Sequence, residues 1–107
     1  MARIHFVCKR GCNVSPRDSK NGIYDSGNWD ISLDDARRLI GGYLYLHERK
    51  QERSYFGGIV QAVEAVRIDG VAHVDRVRFV IQSTTNGKDV KWDGHAHARA
   101  WTSGVLE

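Results

Sequence analysis

Alternation of apolar and polar positions dominates the second half of this chain and predicts a long β-hairpin. From Ile59 to Ile68 alternate residues can face a core. From Val74 to Gln82 the side chains of Val77, Phe79 and Ile81 fall on one face, and those of Arg76 and Arg78 on the other. Asp69-Gly70, set between two such runs, is a strong turn signal. Upstream, Ile4-His5-Phe6-Val7-Cys8 is rich in strand formers. Tyr43-Leu44-Tyr45-Leu46-His47 reads as a strand buried on both faces or nearly so. A helical pattern occurs once, with Leu33, Ala36, Leu39 and Ile40 on one face. Ser32 can cap that helix, Asp34 and Asp35 suit the positive end of its dipole, and Gly41-Gly42 supplies a left-handed stop.

Between these elements the pattern lapses. Lys9 to Asn28 is crowded with loop formers, Gly11, Asn13, Ser15, Pro16, Asp18, Asn21, Gly22 and Gly27 among them, and predicts a long loop pinned at Ile23 and Tyr24. Glu48 to Ser54 is a charged connector, and Ser83 to Val90 with Asn86-Gly87 is a further loop. The tail reads as a last strand around His97 to Thr102. One short helix against at least five strands predicts an α+β, mostly β fold: a small curled antiparallel sheet or barrel.

Composition narrows the picture only modestly. A chain of 107 residues has room for one core, so residues 1–107 are read as a single domain. No apolar run approaches the roughly 20 residues of a membrane helix, and the opening residues lack the apolar stretch of a secretory signal. The expectation is a cytoplasmic protein with no membrane partner. In that reducing setting Cys8 and Cys12, four positions apart, are expected as free thiols. The net charge of +3 leans toward anionic partners without demanding one.

Candidate chemistry lies first in aromatic residues beside loops and interspersed with cations. Trp29, Trp92, Trp101 and Tyr55 offer flat faces on which an unpaired or flipped base can stack. Arg49, Lys50, Arg76, Arg78 and Arg99 would meet phosphate, and Asp30 or His47 a base edge. The opposing reading is that such aromatic groups simply pack the core or its rim. His95 and His97, two apart, would point the same way on a strand, and Cys8 and Cys12 could complete a zinc set if the chain ends meet. Exposed histidines flanking a surface account for the same residues. No nucleophile elbow, phosphate loop or paired nucleophile and base is visible, so catalysis has no motif behind it and no cofactor is implied.

The stretch from Trp29 to about Gln82 resembles the PUA-like superfamily, which includes EVE, ASCH and YTH domains. The resemblance rests on Trp29-Asp30-Ile31, the helix from Leu33 to Ile40, Gly42 to His47, and Gly57-Gly58-Ile59-Val60 with the following hairpin. It implies a curled barrel that receives a modified base or binds RNA, often in an aromatic cage. The leading expectation is therefore a non-enzymatic nucleic-acid-binding module with an aromatic pocket. Two other classes stay open: a small protein-interaction domain or homodimer, and a hydrolase or metal-dependent enzyme using the His-rich tail.

Overall fold

The computed structural model describes residues 2–93 and 101–107. In chain order it contains β1 (Arg3–Val7), β2 (Val14–Asp18), β3 (Ile23–Trp29), α1 (Leu33–Arg37), β4 (Tyr43–His47), β5 (Phe56–Arg67) and β6 (Asp75–Ser83). Short 3-10 helices occupy Ser19–Asn21 and Thr85–Gly87. The six strands form one sheet in the order β1-β4-β5-β6-β3-β2.

The β5–β6 hairpin is the spine, and its register runs from Gly58 opposite Ser83 to Arg67 opposite Asp75. Val77, Phe79 and Ile81 are buried, as their alternation predicts. Gly57 and Gly58 let neighbouring backbones approach. A Cβ at Gly58 would stand 2.2 Å from the Gln82 carbonyl oxygen, and one at Gly57 would stand 2.8 Å from those of Gly87 and Leu44.

The sheet is not wholly antiparallel, because β1 pairs with β4 in parallel, Arg3 opposite Tyr43 through Val7 opposite His47. The long connection between them contains enough chain for the crossover a parallel pair requires. On its other side β1 receives residues 101–106 through antiparallel bridges, Phe6 to Thr102 and Arg3 to Leu106. The expected tail strand is thus a bridged segment here, and positions 97–100 of it lie outside the described residues.

The predicted loop from Lys9 to Asn28 instead contains the hairpin β2–β3. Its strand signal is weak because β2 is a polar sheet edge with Pro16 in it, which needs no apolar alternation. The turn closes on Gly22 at φ 73°, and Asp18 accepts a hydrogen bond from the Asn21 N–H. Helix α1 starts where expected, with the Ser32 hydroxyl accepting from the Asp35 N–H at 3.1 Å. It ends three residues sooner than Ile40, so Leu39 turns inward while Ile40 stands 50% exposed.

The sheet curls strongly. Phe6 of β1 and Trp29 of β3, with three strands between them in the order, stack face to face with ring centroids 3.9 Å apart. Inside the curl lie Ile4, Phe6, Leu44, Leu46, Val60, Val77, Phe79 and Ile81, closed at one end by Ala36 and Leu39. Each large side chain so buried contributes about 1.5–3 kcal/mol relative to exposure. The fold is α+β and mostly β, a curled six-stranded mixed sheet with one short helix.

Candidate functional site

Two aromatic regions flank this core. The first forms where β3 ends. Trp29 turns its indole inward and donates its N–H to the Ser26 hydroxyl at 3.1 Å, and the ring is only 6% exposed. The next residue, Asp30, begins the connection to α1, and its carboxylate lies 2.6 Å from His73 Nδ1 in the β5–β6 turn. Arg76, at the start of β6, donates from Nε to the His73 carbonyl at 2.9 Å and from Nη1 to that of Asn28 at 3.5 Å. Trp101 completes the group, half-buried, with its ring 10° from parallel to Trp29 and 6.1 Å away.

Asn13, Asn28, Trp29, Asp30, Arg76 and Trp101 line an open surface hollow of about 340 Å³. Asp30 and Arg76 also line an adjoining groove of about 800 Å³, whose walls include Ile31, Leu33, Ala65 and Val74. Volumes of this order suit a small planar ligand and its neighbour. Chemically the smaller cavity combines flat indole, two amides with donor and acceptor atoms, one carboxylate and one guanidinium.

The second region covers the outer face of the β1–β4 pair, where residues alternate with the core set. His5, Tyr43, Tyr45 and His47 project there, and Trp92 closes over the histidines. Tyr43 stacks on Tyr45 at 5.7 Å, Tyr45 on His5 at 4.9 Å, and Trp92 packs 5.3 Å from His5 and 5.0 Å from His47. His5 Nδ1 lies 2.7 Å from His47 Nε2, and His47 Nδ1 lies 2.9 Å from the Glu52 carbonyl oxygen. Both rings are buried. Desolvation, reinforced by the neighbouring His47, lowers His5 to about 4 despite the opposing pull of Asp93. Desolvation likewise lowers His47. Arg3 grips Asp93 Oδ2 from Nε at 3.0 Å and from Nη2 at 2.8 Å. Burial pushes the Asp93 carboxyl up, but Arg3 and His5 outweigh it and hold the group below its usual range.

The residues singled out in the sequence divide accordingly. Trp29, Trp101, Asp30 and Arg76 converge on one cavity. Trp92 is 2% exposed and His47 is fully buried, so both belong to the interior of the second region. Lys50 holds its ammonium 5.3 Å over the Trp92 ring, and Arg49 is exposed on the connector. The Tyr55 hydroxyl donates to the Cys8 carbonyl at 2.9 Å and lies 2.9 Å from the Cys8 sulfur, anchoring the loop after β1. Arg78 pairs with Glu64 at 2.8 Å on the β5–β6 surface.

Arg99, His95 and His97 lie outside the described residues. Cys8 and Cys12 are both free; burial raises the Cys8 thiol, which opposes the thiolate a metal needs. Among the described residues no three of His, Cys, Asp and Glu cluster to hold a metal.

Sequence reasoning missed His5, Asp93, Asn13, Asn28 and His73. A signal existed for His5: it falls in opposite phase to Ile4 and Phe6, on the face of the strand that also carries Arg3 and Val7. For the asparagines and His73 there was none, since they meet the cavity through loops. No family model, no curated protein and no solved structure matches this chain.

Proposed function

We propose that this domain binds nucleic acid and seats one unpaired base in the cavity between Trp29 and Trp101. The observation behind the proposal is convergence. Four residues of the types that stacking, edge contact and phosphate contact require, drawn from three separate parts of the chain, line a single hollow of about 340 Å³.

Trp101, the more exposed indole, is the stacking platform, and Trp29 backs it from the core. Asp30 accepts hydrogen bonds from exocyclic amino or ring N–H groups of a base, and the Asn13 and Asn28 amides read neighbouring edge atoms. The Arg76 guanidinium, already oriented by two carbonyls, meets the adjoining phosphate. The larger groove takes the next nucleotide. Nothing in this arrangement requires a bond to be broken, so the role is recognition.

Fluorescence anisotropy with short labelled DNA and RNA, single- and double-stranded, plain and base-modified, tests it at low and physiological salt. Binding that survives salt, prefers one base, and falls by about 1–3 kcal/mol in Trp101→Ala is the expected result. Binding that disappears with salt, or equal small losses at Trp101, Asp30 and Arg49, leaves only charge attraction and overturns the proposal.

A further inference from the structure

Arg3, Arg10, Arg17, Arg38, Arg67 and Arg78 each meet a carboxylate. A second set of cations does not. Arg49, Lys50, Arg53, Lys88 and Lys91 lie on two segments, 49–53 and 87–92, and none of the five has a carboxylate partner among the described residues. Against them these segments hold only Glu52 and Asp89, an excess of +3 that equals the net charge of the whole chain. The chain's other eleven cations and eleven acids cancel. The acids at the flanks are already engaged, Glu48 with Arg10 and Asp93 with Arg3.

Ser54, 2% exposed, fastens the two segments together. Its N–H donates to the Val90 carbonyl at 2.9 Å, and its carbonyl accepts from the Asp89 N–H at 2.8 Å. Its hydroxyl donates to the Gly87 carbonyl at 2.7 Å and accepts from the Val90 N–H at 2.9 Å. Buried hydrogen bonds thus hold like charges close against their repulsion, which an anion would relieve. Lys50, Gln51, Glu52, Arg53, Lys91 and Trp92 line a hollow there of about 290 Å³, and three cations against one carboxylate give its lining a formal charge of +2. Arg53 Nη1 donates to the Asp89 carbonyl at 3.1 Å, which orients the guanidinium and leaves its other N–H groups for a ligand. The Lys50 ammonium lies 5.3 Å over the Trp92 ring, and this low-dielectric wall strengthens the field of the cations beside it. Trp92 is itself 2% exposed, and its Nε1–H has no acceptor among the described residues.

We propose that this hollow binds a dianionic phosphate group, that of a phosphomonoester or of free phosphate. A monoester carries nearly two negative charges at neutral pH and matches the lining, whereas the diester of a nucleic-acid backbone carries one. The planar fork of Arg53 takes two phosphate oxygens, and Lys50 and Lys91 act as point charges. Glu52 opposes them, so the ligand is held exchangeably. The site shares no residue with the hollow beside Trp101 and stands whether or not that hollow takes a base.

Isothermal titration at neutral pH and low salt with inorganic phosphate, methyl phosphate and dimethyl phosphate tests the proposal. One methyl phosphate per chain, bound at least about tenfold more tightly than dimethyl phosphate, is the expected result. Inorganic phosphate bound equally well supports a site for the free anion, and a preference for methyl phosphate supports one for an ester. Lys91→Gln should weaken methyl phosphate about fivefold, the loss of one charge-assisted contact. Lys20→Gln removes the same charge from an exposed turn elsewhere and should weaken it less than about twofold. Equal losses in the two variants reduce the effect to net charge and overturn the proposal. So does equal affinity for monoester and diester, or no binding of either. In wild-type protein methyl phosphate must also shift the amide resonances of Arg53 and Lys91, and shifts confined to other residues refute the placement.

Discussion

Two tryptophans mark two regions that each combine indole, carboxylate and guanidinium and are finished in opposite ways. Around Trp92, histidines, tyrosines, a carboxylate and an arginine face one another and a backbone carbonyl, and the indole is 2% exposed. Around Trp101 a second indole, two amides, a carboxylate and an arginine line an open hollow of about 340 Å³. Whether an aromatic and polar cluster packs or receives is decided by where its polar atoms point. On the β1–β4 face the groups meet one another under a covering indole, and at the end of β3 Asp30 and Arg76, each with a protein partner, also line an open hollow. Residue type alone carries no information about that choice.

The comparison breaks most sharply through stability. Trp92→Ala should cost about 3–5 kcal/mol, because the indole covers two buried imidazoles and leaves a large cavity. Trp101→Ala should cost clearly less in the same urea titration. Equal losses would mean that both regions are packing.

Acid should loosen the Trp92 side next. The unfolded chain binds a proton at His5 near 6.5, whereas the folded chain does so only near 4. The stability this group supports is complete above pH 6.5 and falls progressively toward pH 4, by on the order of 2–3 kcal/mol. Desolvated His47 adds in the same direction. Urea midpoints measured from pH 7.5 to 4.5 should therefore fall. A midpoint that instead peaks near pH 5.5 would show the histidines charging favourably inside the fold.

The Trp101 side sharpens through binding. Asp30→Asn replaces one acceptor by a donor and should alter which base is preferred more than it alters overall affinity. An unchanged preference in a panel of homopolymers would remove Asp30 from the edge contact. Arg49→Ala is expected to have the smallest effect, leaving stability unchanged and reducing only the salt slope of binding. A large loss there would move the interface to the connector after β4.

Much of the fold was legible in the chain because strong periodicity and burial coincide in it. Val77, Phe79 and Ile81 announce β6, and Ser32 with two following aspartates announces α1. The hairpin β2–β3 was hidden because an edge strand such as Val14–Asp18 is stabilised by backbone pairing, without an apolar face to display. The parallel pairing of β1 with β4 is a long-range choice that no local pattern encodes. Of the candidate site, Trp29 and Asp30 sit where a strand ends, and Arg76 occupies the outer phase of β6, which the pattern does show. Their meeting with Trp101 depends on how far the sheet curls. Trp92 and Trp101 look alike along the chain, nine positions apart, and only the covering surfaces separate them.

The position of β1 also sets an order of events in time. Its parallel partner begins some 40 positions downstream, and its other neighbour is residues 101–106. By contrast, β5 and β6 meet through a local turn and can zip early, with β3 joining them. The earliest made of these six strands is thus among the last to find both its neighbours. Until residue 106 has emerged, His5 has no completed surroundings, so folding of the β1 face waits for a segment about 100 positions downstream.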